Sequence, residues 1–499
     1  MANTHIFTFI QYLTEIETRI AEDHLSKSQG LFANENGTDS KELALFKYLI
    51  ANRSRTVTDK EVTAHLDVKD LSHLKTHLYN KVLESLSHDK FITNASVFNS
   101  YDTAVISLKK QLLIIKISLR SVNEGKTEAL KDLLNNVIDK AFEYEAYDTL
   151  VEALTAKKYF ISIREGQAEF DKINRDIEFY SDCVRSVFFA TDCYYRIIIN
   201  NDFIKSFSEK ELDKFIRSSI KQLEKDFKRT NSQQINYYLH ILLFAESERS
   251  KNFKKAIKQC NELLNLLKMH KVIYRRERVG TALLNLSEFM TRAGDYKHAA
   301  ENAKKAKDQY PDNSFEQNVA IKQEFLACFY GKDYQTAKKC LDLLLNQPTE
   351  DAGEFRKSKY IFYNAWISFA KREYKEALAL LNTSLEIEKD KSRWNISVRI
   401  LHILLFIELN KIDEAGNALE SLRKYMERTG KEEEIRGRDA VIVKFLREIE
   451  KDGFQYDPSN ITATKMLNDL SDRDSNIAWE TYSAEMIPFQ DWVTGNKVR

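Results

Sequence analysis

A short motif recurs five times in the C-terminal half of this 499-residue chain, and it constrains the fold more than any other feature. Each copy has a polar turn, then an aromatic or aliphatic residue, then an alanine three positions later. The five alanines are Ala256, Ala299, Ala337, Ala377 and Ala415, at intervals of 43, 38, 40 and 38 residues. Because a repeat period of roughly 20 to 50 residues marks a protein built from stacked units, the motif predicts a series of similar structural units.

The clearest unit spans residues 280–313. It predicts two helices joined by a tight turn at Ala293-Gly294-Asp295, with the second helix ended by Pro311. The second helix carries a row of alanines, so a neighbouring helix can approach it closely. Such a hairpin has one apolar face per helix and cannot bury both faces alone. It therefore needs further hairpins on each side.

Residues 237–430 resemble tetratricopeptide repeats, and residues 280–313 match that family best. Their 34 residues place seven side chains where the family has packing residues: Leu283, Leu286, Tyr296, Ala299, Ala303, Ala306 and Pro311. The resemblance implies an all-α fold, a right-handed superhelix (α-solenoid) of antiparallel, TPR-like helical hairpins. Only 13 glycines and 4 prolines occur in the whole chain, which extends the expectation of long helices with short connections to the remainder.

The pattern divides the chain into four predicted regions. Residues 1–100 form an N-terminal helical region, 101–235 a degenerate helical-repeat region, 236–430 the TPR-like array, and 431–499 a C-terminal helix with an aromatic capping tail. Within the second region, 126–142 and 147–163 are predicted to pair as a hairpin. The tail either docks on another protein or, as we favour, folds back and covers the apolar end of the last hairpin.

The resemblance also implies a binding surface, because the first helices of successive tetratricopeptide hairpins line a groove that takes peptides or proteins. Phe362 and Trp366, with Lys359 beside them, are candidate anchors for an extended peptide. Trp366 and Phe369 could equally pack in the seams between hairpins. The groove candidates are Tyr238, Glu248, Thr281, Glu288, Arg292, Lys322, Phe329, Lys359, Phe362, Trp366 and Phe369.

Residues 58–86 offer a second hypothesis, because 58–78 superficially resemble a helix-turn-helix whose second helix would carry His73, Lys75 and His77. Such a segment would make the chain a transcriptional regulator with a repeat-built sensor. We favour a hairpin that caps the array, because the turn holds Asp67 where a small residue is usual. His73 and His77 are spaced to chelate zinc if a third ligand joined them. No suitable glutamate or cysteine is near in sequence, so we predict no metal and no cofactor.

Charge and motif content narrow the function. Lysine plus arginine (76) balances aspartate plus glutamate (75), which argues against a nucleic-acid partner, although residues 251–278 are locally basic. No apolar run reaches the roughly 18 residues of a membrane span. The five cysteines form no CxxC pair and predict reduced core residues in a cytoplasmic protein. No phosphate-binding loop or GxSxG motif occurs. The sequence thus predicts a non-enzymatic scaffold or adaptor that binds a protein or peptide.

Overall fold

A computed structural model describes residues 4–28, 40–66, 68, 71–94, 98–121, 124–202, 207–346, 354–383, 394–430 and 435–495. Every regular element in these ranges is helical, which confirms the all-α prediction. A short 3-10 helix, Leu119–Ser121, follows α7. The α-helices, in chain order, are α1 (Thr4–Gln11), α2 (Glu15–Ser28), α3 (Lys41–Ala51), α4 (Asp59–Leu66), α5 (Leu71–Leu86), α6 (Asp89–Ile92), α7 (Ser100–Ser118), α8 (Glu124–Glu143), α9 (Tyr147–Glu165), α10 (Gln167–Asp202), α11 (Glu209–Thr230), α12 (Gln233–Arg249), α13 (Phe253–Met269), α14 (Arg276–Arg292), α15 (Tyr296–Lys307), α16 (Phe315–Tyr330), α17 (Tyr334–Leu345), α18 (Glu354–Ala370), α19 (Tyr374–Thr383), α20 (Trp394–Glu408), α21 (Ile412–Thr429), α22 (Gly437–Glu450), α23 (Ile461–Ser471) and α24 (Phe489–Gly495).

The chain folds as two compact units. The N-terminal unit comprises Met1–Phe203, Lys221–Tyr238 and His270–Ile273, and the C-terminal unit comprises Ile204–Ile220, Leu239–Met269 and Tyr274–Arg499. Within the described helices, none is both long enough and apolar enough to cross a membrane.

In the N-terminal unit, α5 is the central helix of the first five. Its residues Leu74, Leu78 and Val82 are buried against side chains of α1, α2 and α3. A second core joins α7 to α10, in which consecutive helices pack side by side. The predicted pairing of 126–142 with 147–163 is confirmed, because these residues lie in α8 and α9, which form a hairpin.

In the C-terminal unit, the motif that recurs five times marks five hairpins: α12 from Leu239 onward with α13, then α14–α15, α16–α17, α18–α19 and α20–α21. The motif's alanines are all fully buried, as the sequence predicts. In the second hairpin, the Ser287 hydroxyl on α14 donates a 2.7 Å hydrogen bond to the carbonyl of Ala299 on α15, so the two helices are in close contact. Consecutive helices from α13 to α24 pack on one another, which establishes a serial, TPR-like array of hairpins.

The turns of these hairpins share one geometry, which explains why the motif recurs. In each turn, one residue adopts a left-handed conformation, and the next residue's N–H bonds to the carbonyl five positions earlier at 2.8 to 2.9 Å. This pattern is the Schellman motif, which ends a helix by satisfying its last carbonyl groups. The left-handed residues are Lys251 (φ 54°), Gly294 (φ 86°), Lys332 (φ 64°), Arg372 (φ 63°) and Asn410 (φ 55°).

The same turn occurs once in the N-terminal unit, between α8 and α9. Glu145 is left-handed (φ 51°), and the N–H of Ala146 bonds to the carbonyl of Ala141 at 2.8 Å. Tyr147 follows, but Leu150 stands where the other copies have alanine, and it is buried. The turn geometry therefore occurs outside the region in which the sequence motif is visible.

Candidate functional site

The C-terminal segment after α23 lies on the first helices of the array. We call residues 472–495 the tail, and we call the surface beneath it, formed by α14, α16, α18, α20 and α22, the first-helix surface. The tail has an outer part, residues 477–483 (the arm), and an inner part, residues 484–493 (the plug). The prediction that the tail folds back and covers the end of the array describes the plug, which packs on α22, but the arm continues to hairpins much earlier in the chain.

Tyr482 makes the most extensive contacts of the arm. Its hydroxyl accepts a 2.8 Å hydrogen bond from the Gln323 side-chain amide, and its backbone N–H donates one of 2.9 Å to the hydroxyl of Tyr330. The guanidinium of Arg292 lies over its ring, 5.2 Å from the centroid, which is cation–π distance. Burial raises the pKa of the Tyr482 phenol, and the nearby Glu288 carboxylate adds to this effect, so the hydroxyl stays protonated.

The side chain that receives Tyr482 is held in place by the array itself. The buried Gln323 amide lies 3.1 Å from the Ser287 hydroxyl oxygen and 3.3 Å from that of Thr291, both on α14. The Ser287 and Thr291 hydroxyls donate their own protons to backbone carbonyls, so their oxygens are left to accept from Gln323. Gln323 is therefore oriented without the tail, and its two N–H protons are shared among three acceptor oxygens when Tyr482 is bound.

Charged side chains surround this position. Arg292 bonds to Glu288 at 2.7 Å and lies 3.8 Å from Glu248, so one guanidinium faces two carboxylates and the Tyr482 ring. Burial raises the pKa of Glu248, the Glu288 charge adds to it, and Arg292 opposes it. At the outer end of the arm, Lys251 pairs with Glu480 at 3.2 Å.

Aromatic contacts hold the remainder of the tail. Trp479 meets the Tyr330 ring edge-on, with the centroids 5.7 Å apart. In the plug, Phe489 packs edge-on against Phe445 of α22 at 5.4 Å, and the Trp492 indole N–H donates a 2.8 Å hydrogen bond to Glu408 at the end of α20. The tail thus has contacts along most of the array.

A buried ion pair fastens the plug. Arg438 of α22 binds Glu485 with two hydrogen bonds of 2.6 and 2.7 Å, and both side chains are only 8% exposed. The Glu485 carboxylate also accepts a 2.6 Å hydrogen bond from the N–H of Phe489. Arg438 donates further hydrogen bonds to three oxygens, namely the carbonyls of Leu470 and Ile477 and the side-chain amide oxygen of Gln490.

A cavity of about 10 Å³ remains between the plug and the first-helix surface. That volume holds roughly one water molecule and is far below the roughly 300 to 1,000 Å³ of a small-molecule site. It is lined by Trp366, Ser397, Ile400, Leu404, Asp439, Ile442, Glu485, Ile487 and Phe489. The ionisable groups here are paired: Asp439 with Arg436 at 2.7 Å, and Glu485 with Arg438.

The charged groove candidates Glu288, Arg292 and Lys322 lie in the C-terminal unit, whereas Tyr238 lies in the N-terminal unit. Glu288 and Arg292 lie beside the arm, and the half-buried Lys322 is on the same helix as Gln323. Tyr238 belongs to the N-terminal unit, where its ring lies 5.7 Å from that of Tyr194.

The expectation of exposed aromatic anchors is corrected by burial. Phe329, Phe362 and Trp366 are each no more than 3% exposed and pack within the core of the C-terminal unit. Lys359 lies over the ring of Trp394, 4.0 Å from its centroid. Phe369 joins helices, as the seam alternative proposed, and Phe362 does so as well. Trp366 does so and also lies beneath the plug. No sequence pattern pointed to Gln323, because an isolated glutamine carries no motif.

The helix-turn-helix hypothesis depended on an exposed second helix. Residues 67, 69 and 70 of its turn lie outside the described residues. Lys75 of α5 is buried (1% exposed), paired with Asp59 and placed over the Phe7 ring at 4.3 Å. Its ammonium group is therefore not available to a phosphate backbone, and α5 serves as the core helix of its bundle.

Two groups of side chains contain histidines that could serve as metal ligands. The rings of His73 and His77 stack 6.0 Å apart, and His77 bonds to Glu42 at 2.9 Å. A different group, His24, Glu84 and His88, brings its ligand atoms within 4.8 Å of one another. Two of these three residues are exposed, so this cluster has the ligand types for zinc but lacks the enclosed setting of a structural zinc site.

Comparisons with known proteins add little to this description. No family model matches the sequence, and no curated protein matches it. Among solved structures, the fold is similar to a signal transduction ATPase with numerous domains from Pyrococcus horikoshii, which has a tetratricopeptide repeat sensor. The TM-score is 0.40 and the identity 12%, with 84% of this chain and 65% of that protein covered. The chain thus spans less than two thirds of that protein, and the repeat fold is established by the hairpins described above.

Proposed function

We propose that this chain is a non-enzymatic scaffold or adaptor that binds a non-helical segment of another protein on its first-helix surface. One observation carries the proposal: the surface already holds a non-helical segment of the chain itself, residues 477–483. It does so with a cation–π contact, a hydrogen bond from a pre-oriented amide, and aromatic packing. These are the interactions with which helical-repeat surfaces and other peptide receptors recognise their ligands.

Two further features support binding rather than catalysis. The cavity at this surface is too small for a metabolite, and its carboxylates are engaged in ion pairs with arginine. General acid–base catalysis needs a titratable group within reach of a substrate proton, and these carboxylates face arginine instead.

A displayed library of random peptides, selected on the full-length chain, tests the proposal. The selection is run on the wild-type protein and on Tyr482→Ala, and the selected peptides are retested on Arg292→Ala/Gln323→Leu. We expect these peptides to lose at least tenfold in affinity on the double variant and to be unaffected by Lys305→Ala, an exposed change on the second helix α15. If neither chain selects a peptide that depends on Arg292 and Gln323, the proposal is wrong.

A further inference from the structure

The arm and the plug differ in a way that suggests different roles. Glu485, Met486 and Phe489 of the plug are buried, whereas Trp479 and Tyr482 of the arm are only partly buried. The ion pair at the outer end of the arm, Lys251–Glu480, is 76% and 66% exposed. Such a pair contributes at most about 1 kcal/mol, so it adds little to the attachment of the arm.

The backbone of the arm is also in an unfavourable conformation. Tyr482 has φ 71°, in the left-handed region that bulky residues rarely adopt. A residue held there costs on the order of 1 kcal/mol, which the contacts to Arg292, Gln323 and Tyr330 must offset. Release of the arm relieves this strain, and Gln323 keeps Ser287 and Thr291 as partners. After release of the arm, the Gln323 amide nitrogen therefore still has hydrogen-bond acceptors.

We propose that the arm is a displaceable internal ligand, which occupies the binding surface until a partner segment of the same chemistry replaces it. This inference rests on the proposed function and specifies its partner: a turn-forming segment with an acidic residue two positions before a tyrosine. Glu480-Thr481-Tyr482 is such a segment, and the N–H of Ser483 bonds to the carbonyl of Glu480 at 3.3 Å. The acidic residue faces Lys251, the tyrosine ring faces Arg292, and the tyrosine hydroxyl faces Gln323. The plug stays in place and keeps the arm close to the surface.

Competition with the arm sets the apparent affinity for the partner. A short tether gives the arm an effective concentration in the millimolar range, so a free peptide with the same contacts competes poorly in the intact chain. When the arm's side chains are removed, that competition is lost. The same peptide then binds more tightly, by the factor by which the bound arm had reduced its apparent affinity.

The first test measures binding of a fluorescein-labelled peptide of residues 474–484 by fluorescence anisotropy. The full-length wild type is compared with Trp479→Ala/Tyr482→Ala, in which the arm loses its two aromatic contacts. We expect the variant to bind at least tenfold more tightly than wild type. Adding Arg292→Ala/Gln323→Leu to it should abolish the gain, and a peptide with alanine in place of its tyrosine should not bind.

Failure of the internal-ligand inference can be distinguished from failure of the proposed function. If wild type and the arm variant bind the peptide equally and both depend on Arg292 and Gln323, the surface binds peptides but the arm does not compete, so this inference alone falls. If the folded arm variant does not bind the peptide, the arm is not a ligand and the inference again falls. The library selection then decides the proposed function independently.

A second measurement uses the unaltered wild-type chain and does not depend on any variant folding. Hydrogen exchange detected by mass spectrometry compares peptides from the arm and the plug. We expect the amide of Tyr482 to exchange through local opening, at least a hundredfold faster than that of Phe489, which bonds to buried Glu485. Exchange of both amides only with global unfolding of the C-terminal unit would show that the arm is a fixed structural element.

Discussion

In the buried Arg438–Glu485 pair, replacing Arg438 should destabilise the C-terminal unit more than replacing Glu485. Arg438→Met leaves the Glu485 carboxylate with the N–H of Phe489 as its remaining hydrogen bond within the described residues. Burial raises the pKa of the Asp439 carboxyl, and the charge of the neighbouring Glu485 raises it further. Arg438 acts in the opposite direction and lowers that pKa. The variant thus leaves two neighbouring buried carboxyl groups with less positive charge between them.

Glu485→Gln has the milder outcome. Arg438 keeps the carbonyls of Leu470 and Ile477 and the side chain of Gln490 as acceptors, so its guanidinium stays largely hydrogen-bonded. Loss of one partner of a buried ion pair typically costs about 3 to 5 kcal/mol, and we expect Arg438→Met to fall in that range. For Glu485→Gln, the remaining hydrogen bonds reduce the expected cost to about 1 to 3 kcal/mol.

Urea unfolding followed by tryptophan fluorescence measures these costs directly. All four tryptophans, at 366, 394, 479 and 492, belong to the C-terminal unit, so the signal reports that unit alone. The double variant Arg438→Met/Glu485→Gln should be destabilised by at least about 2 kcal/mol less than the sum of the single variants, because the charges are coupled. Additive costs, or a larger cost for Glu485→Gln, would refute the reasoning.

Three further predictions concern the array. Gly294→Ala should destabilise the C-terminal unit by about 1 to 2 kcal/mol, because φ is +86° there. No atom lies within 4 Å of the added Cβ, so backbone strain is its sole cost; an unchanged urea midpoint would contradict the turn assignment. Ala299→Glu should cost several kcal/mol, since Ala299 is fully buried, and an unchanged thermal unfolding temperature would show that it faces water. Burial, and then the charge of Arg399, lower the pKa of His402 below the usual 6.5, so the unfolded chain binds more protons. The C-terminal unit should therefore lose stability as pH falls through 6.5, and the His402→Gln variant should lose less stability than wild type between pH 8 and 5.5.

The repeat fold could be predicted because its signal is local. A turn, a seam residue and a small alanine lie within a few positions, and each copy forms the same Schellman turn. The hairpin of α8 and α9 was predicted, but its turn at Glu145 lacks the full motif, because a buried leucine at 150 stands in place of the alanine.

The candidate site was predictable only in part, because residue type does not fix exposure. Arg292 and Glu288, which the resemblance assigned to a groove, lie beside the arm, and their role in binding a partner stays a prediction. Trp366 has the same anchor-like chemistry but is buried, and Lys75 has the charge of a phosphate ligand but lies in a core. Gln323 and Tyr482 are separated by 159 residues and share no pattern, so no local reading of the sequence could pair them.

The length of the tail is itself an argument for a binding role of the arm. A helical-repeat array needs a cap, because its last hairpin exposes an apolar face. The plug meets that need with contacts to α20 and α22, where Phe489, Trp492 and the Arg438–Glu485 pair lie. A cap gains nothing from Tyr482 at Gln323 or from Glu480 at Lys251, which is 229 residues earlier in the chain. The arm therefore extends beyond what capping requires, and occupation of a surface that recognises such segments accounts for the excess.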